Sequence, residues 1–81
     1  MVKCLLLKEG TNLIGELVEV DVEVGEPDCR IVNPLQINEN DELRRWPSFT
    51  DQRTLMLQSD SILTIVDPSE NLLKQYKEIV S

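Results

Sequence analysis

Histidine is missing from this chain of 81 residues, and aromatic side chains nearly so, with one Trp, one Tyr and one Phe. Without histidine there is no Ser–His or Cys–His nucleophile and no imidazole ligand for a metal. The serines fall in turn-like or helix-start contexts, not on the sharp strand-to-helix elbow that exposes a nucleophile. The two cysteines, Cys4 and Cys29, are far from C-x-x-C spacing and each lies inside an apolar run. They read as free thiols acting as small core hydrophobes, with a structural disulfide as the alternative. Fifteen acidic residues could supply a carboxylate pair, yet no spacing selects one. The chain therefore reads as non-enzymatic, with no cofactor and no metal.

Long apolar runs are also lacking, so no segment is expected to span a membrane. The start, Met-Val-Lys-Cys-Leu-Leu-Leu-Lys, is too short and too soon charged again for a signal peptide. A cytoplasmic location follows as an expectation.

Basic charge is scarce: eight Lys and Arg face fifteen Asp and Glu, for a net charge of −7. The imbalance is local. Residues 1–42 hold three basic and ten acidic groups, whereas residues 43–81 hold five of each. Such a surface repels phosphate backbones unless a basic patch overrides it, so generic nucleic-acid affinity is disfavoured. Eighty-one residues make a single domain. A chain this short buries only about 60 to 65% of its unfolded surface, and an oligomer would help to stabilise it.

What is present is β-patterning around Leu5 to Val24. An apolar run, Val2 to Lys8, leads into the turn Lys8-Glu9-Gly10-Thr11-Asn12, where Gly10 can take a positive φ. From Leu13 to Val24 a second strand follows, in which Val18, Val20, Val22 and Val24 alternate with Glu19, Asp21 and Glu23. Earlier in that strand the apolar parity is mixed, which predicts a bend at Gly15. After the Gly25-Glu26-Pro27-Asp28 turn, Cys29 to Ile37 is a third strand, interrupted by a bulge or an edge at Asn33-Pro34. Asn38 to Asp51 is a polar loop, long for so small a domain. Thr54 to Gln58 and Ile62 to Val66 are two more strands, joined tightly by Ser59-Asp60-Ser61. A helix over about 68–80 follows, with Asp67 as N-cap, Pro68 in the first turn and Glu70 closing a capping box. Its apolar stripe is Leu72, Leu73, Tyr76, Ile79 and Val80. Five short strands and a terminal helix predict a small barrel over about 2–66.

Leu7, Gly10, Gly15, Leu17 and Asp21 form the pattern L-x-x-G-x-x-x-x-G-x-L-x-x-x-D. This resembles the first signature of Sm-like proteins, the ring-forming, RNA-associated barrels that include the Hfq type. The short chain and the Asp-Pro-Ser-Glu start of a terminal helix are most similar to the small Sm-like proteins of marine cyanophages. The resemblance implies an all-β, strongly bent five-stranded, SH3-type partly open barrel, here with a C-terminal α-helix. It also implies edge-to-edge pairing of subunits, through the fourth and fifth strands, into a homo-oligomeric ring of five to seven copies. For a phage protein the location would be the host cytoplasm. The family's helix precedes the sheet, whereas here it follows.

The family's RNA site implies pore positions at Asp21, Gly25, Gln58, Ser59 and Asp60. Asp21 matches the signature, but Gly25 stands where an Asn is expected, and Gln58-Ser59-Asp60 replaces an Arg-Gly-Asn type segment. A cation is thereby lost and the charge of Asp60 gained. The one basic and aromatic cluster is Arg44, Arg45, Trp46, Phe49 and Arg53. Three readings fit it: aromatics covering an open barrel end with the arginines paired to Glu39, Asp41 and Glu42; a subunit or protein-partner contact; or stacking and phosphate contacts with RNA. The four acids around Gly25, from Asp21 to Asp28, faintly match a calcium loop but fail the EF-hand pattern and read as a solvated acidic turn. Two functions follow as expectations: a ring-forming scaffold with an RNA role, or a protein-interaction ring without nucleic acid.

Overall fold

The computed structural model describes residues 1–19 and 28–80. The alternating valines and acids expected at positions 20–24, and the turn residues up to Pro27, lie outside the described residues. Six strands form one antiparallel sheet: β1 (Val2–Leu7), β2 (Asn12–Glu19), β3 (Cys29–Ile37), β4 (Leu43–Arg45), β5 (Thr54–Leu57) and β6 (Ile62–Val66). One helix follows, α1 (Glu70–Val80). The path is β4-β3-β2-β1-β6, with β5 also on β3. The protein is thus an all-β, partly open sheet structure with a C-terminal helix, as expected. The added strand β4 lies within the expected loop, where it pairs Leu35↔Arg45 and Ile37↔Leu43.

Both faces of the central strands are buried, which explains their mixed parity. Leu5, Leu7, Leu13 and Ile31 form the core inside the curved sheet, joined by Leu17, Trp46, Leu55, Leu57 and Ile62. Cys4, Ile14, Leu35 and Tyr76 form a second core under the helix, with Val2, Leu43, Leu72 and Val80. In β1 and β2 odd positions point inward and even positions towards α1, as a period of two requires. The expected change of face is therefore absent from the described part of β2.

The change falls on β3 instead. Ile31 belongs to the inner core and Leu35 to the helix-side core, although residues four apart share a face on a regular strand. Between them Asn33 has a φ of 52°. The pairing passes from Ile14↔Leu35 to Glu16↔Val32, so β3 carries one extra residue opposite Gly15. This is a β-bulge, and it sits at the expected Asn33-Pro34 interruption. Gly15 is needed because a Cβ there would lie 2.8 Å from Ile31 Cγ1, inside contact distance. The β1–β2 turn is as expected, with Gly10 at a φ of 110°.

The helix starts later than the sequence suggests. Ser69, not Asp67, caps it: its Oγ accepts from the Leu72 amide at 3.2 Å, and Leu73 begins the ladder on the Ser69 carbonyl. Asp67 is drawn away by an ion pair with Lys3 across the sheet. Within the apolar stripe, Tyr76, Leu72 and Val80 pack on the sheet, while Ile79 is 55% exposed.

Candidate functional site

Two features of this fold present chemistry to a partner: the outer strands and the loop after β4. Strand β5 pairs only with β3 and β6 only with β1 among the described residues. Each leaves one edge of backbone N–H and C=O groups without a strand partner there. The same strands carry exposed apolar side chains, with Met56 at 47%, Leu63 at 67%, Ile65 at 40% and Val66 at 44% exposure. Elsewhere in β5, Leu55 and Leu57 turn inward, consistent with alternation. A free edge with exposed apolar residues is a template for strand addition.

A 3-10 turn over Ser59–Ser61 joins β5 to β6. It is fixed by Asp28, whose carboxylate accepts from the Ser59 amide and hydroxyl, both at 2.8 Å. These bonds hold the Asp28 carboxyl below its ordinary pKa, the Ser59 hydroxyl contributing most. Of the resemblance's pore positions, Ser59 is therefore engaged in structure, Gln58 contributes its carbonyl to Ser61, and Asp60 is exposed. Asp21 and Gly25 lie outside the described residues.

The basic and aromatic cluster divides. Trp46 packs against the inner core, in keeping with the reading that aromatics close the barrel, but Phe49 is 89% exposed. The arginines do not pair with Glu39, Asp41 or Glu42. Arg45 Nη1 meets Asp51 Oδ1 at 3.0 Å, and Arg53 donates to the carbonyls of Asp51 and Thr50, both at 3.0 Å. Before β4 the chain makes a local turn in which Asn38 Oδ1 accepts from the backbone amides of Asn40 and Glu42. Arg53 thus staples a loop, and its carbonyl also accepts from the Asn33 amide at 2.6 Å. Only Arg44 of the three is exposed without an ion pair or hydrogen bond among the described residues.

Cys4 and Cys29 are both buried, and no disulfide joins them. Burial, with a smaller contribution from Asp67, raises the Cys4 thiol above its ordinary pKa and keeps it protonated. Among the described residues no His, Cys, Asp or Glu group is arranged to hold a metal ion. No helix there is long and apolar enough to cross a membrane.

Together these features define a small curved-sheet protein in which, among the described residues, β4, β5 and β6 each have a single strand partner, with a stapled, aromatic-tipped loop after β4. The match to known families spans residues 1–81, and the chain belongs to DUF6561, a family of unknown function. No curated protein matches it.

Proposed function

We propose that this protein is a non-enzymatic, Sm-like scaffold that assembles into a homo-oligomeric ring of five to seven copies in the cytoplasm. The observation that carries the reading is the pair of outer strands, β5 and β6, which combine unpaired edges with exposed Met56, Leu63, Ile65 and Val66. Pairing β5 of one copy with β6 of the next satisfies both of those edges and shields apolar side chains beside them, and a closed ring repeats the contact with no β5 or β6 edge left over. Leu63→Lys tests the contact. It places a charge on a residue already 67% exposed, so folding is retained while the edge pairing is lost. Size-exclusion chromatography with light scattering should give a ring for the wild type and a smaller species for the variant; equal masses would refute edge assembly.

Between an RNA ring and a protein-only ring, the electrostatics favour the second. Net charge is −7, and two of the three clustered arginines are spent on the loop itself. RNA contact retains one supporting feature, the unpaired Arg44 in the loop region that also exposes Phe49. On that reading Arg44→Ala lowers RNA affinity and its salt dependence; no binding by the wild type at low salt removes it.

A further inference from the structure

Between the β3 bulge, β4 and the last turn of α1 lies a cleft of about 290 Å³. Leu35, Leu43, Ile79 and Val80 line it on the apolar side, and Asn33, Arg45 and Arg53 on the polar side. Ile79 belongs by spacing to the buried stripe of the helix yet stays 55% exposed here.

The loop beside this cleft is unusually well fixed for one that carries an exposed aromatic. Arg53 holds the carbonyls of Thr50 and Asp51, the Gln52 amide donates to Thr50 Oγ1 at 3.2 Å, and Arg45 holds Asp51. Trp46 anchors its start in the inner core. This network presents Phe49 with 89% of its surface in solvent, and Phe49 does not line the cleft. The arginines that brace the loop are the same ones that line the cleft. The loop that carries the exposed ring and a hollow with a mixed apolar and polar lining therefore adjoin.

We propose that this surface is a two-fold contact between two copies of the chain, in which Phe49 of each copy seats in the cleft of the other. An isologous interface needs a patch that is complementary to itself, and an adjoining knob and hollow meet that condition. The size fits, since an apolar cavity of about 150 Å³ already accepts a benzene ring. The chemistry fits as well. Arg45 and Arg53 can stack on the entering ring. The Asp51 side chain, 99% exposed and two residues after Phe49, approaches the arginines of the opposite copy. Its exposed ion pair with Arg45 is then exchanged for an equivalent one across the interface. Phe49 and Ile79, the exposed apolar residues on this surface, are both covered.

The contact uses neither β5 nor β6, so it stands apart from the proposed ring, and the two can be separated by variants. The full chain carrying Leu63→Lys, which removes the edge contact, should sediment at equilibrium as a dimer. Adding Phe49→Ala should weaken that dimer about 30-fold or more, the loss typical of an interface hot spot. Ile79→Trp, which fills the cleft from the other side, should do the same. Circular dichroism and urea midpoints should not move with Phe49→Ala, because the side chain is exposed. A Leu63→Lys chain that is monomeric at every concentration, or one whose dimer is unaffected by Phe49→Ala, overturns the inference. If Leu63→Lys keeps the wild-type mass, the edge reading fails, and Phe49→Ala in the wild-type chain must then halve the mass for the two-fold contact to stand. Loss of RNA binding in Phe49→Ala with unchanged self-association also overturns it, and assigns the loop to nucleic acid.

Discussion

Tyr76 of the helix donates its hydroxyl to the carbonyl of Asn33, 3.0 Å away, at the point where β3 changes face. The same hydroxyl lies 3.2 Å from the Val32 carbonyl. A bulge removes carbonyls from the ladder, and here a buried phenol from another element satisfies them. The Asn33 amide is satisfied separately, by the Arg53 carbonyl. One residue thereby joins the sheet, the helix and the loop after β4.

Tyr76→Phe should keep the ring in the helix-side core and remove only that donor. Leaving buried carbonyls unmet costs about 1–3 kcal/mol, so the urea midpoint should fall by a corresponding amount. A variant as stable as the wild type would show that water or another donor replaces the phenol.

Gly15→Ala should also destabilise, by about 1–3 kcal/mol, because the added methyl overpacks the inner core. The obstacle is the Ile31 side chain, with Cγ1 at 2.8 Å and Cδ1 at 2.9 Å, and Ile31 is fully buried. Thermal unfolding measures the effect; an unchanged transition would mean that β3 can move away from β2 at the bulge.

Residues around the bulge also show how far the sequence can be read. Gly10, Gly15 and Asn33-Pro34 each signal a departure from regular strand, and the structure has one at Gly10 and one where Asn33 faces Gly15. The alternation in β1 and β2 is legible too, but not its meaning. Mixed parity signals either a bent strand or a strand buried on both faces, and only the position of α1 distinguishes them. The helix start is not legible, because Asp67 is a good cap by type while its carboxylate finds Lys3, far away in sequence. Strand β4 is hidden because Leu43, Arg44 and Arg45 have no alternation of their own and gain strand form by pairing with Leu35 to Ile37. In the arginine cluster, residue type points to a site, but partners do not follow from sequence distance. Arg45 takes Asp51 and leaves Glu39, Asp41 and Glu42 to solvent.

Acid should loosen the β5–β6 connection. The Ser59 bonds hold the folded Asp28 pKa below its unfolded value of about 3.8. Its contribution to stability is thus fully present above that value and is lost as pH falls through the lower, folded pKa. Asp28→Asn should be less stable than wild type near neutrality, and the difference should close as the pH is lowered through the acid range. Urea unfolding at several pH values checks this; a gap that stays constant would mean that the ionised carboxylate is not what Ser59 stabilises.

Cys4 should resist alkylation in the folded protein. The residue is 6% exposed and burial raises its thiol pKa, so little thiolate is available. Mass spectrometry after iodoacetamide should show slow labelling at Cys4 under native conditions and rapid labelling in urea. Rapid native labelling would mean that the helix lifts from the sheet.

The most direct test of the scaffold reading is native mass spectrometry of the untagged protein, purified gently and without nuclease. Edge pairing through β5 and β6 predicts a closed assembly whose mass is an integral number of chains, five to seven for one ring or twice that for two joined rings, without nucleotide. A ring carrying extra nucleotide mass would keep the assembly and move the function to RNA. A monomer at all concentrations would contradict the scaffold.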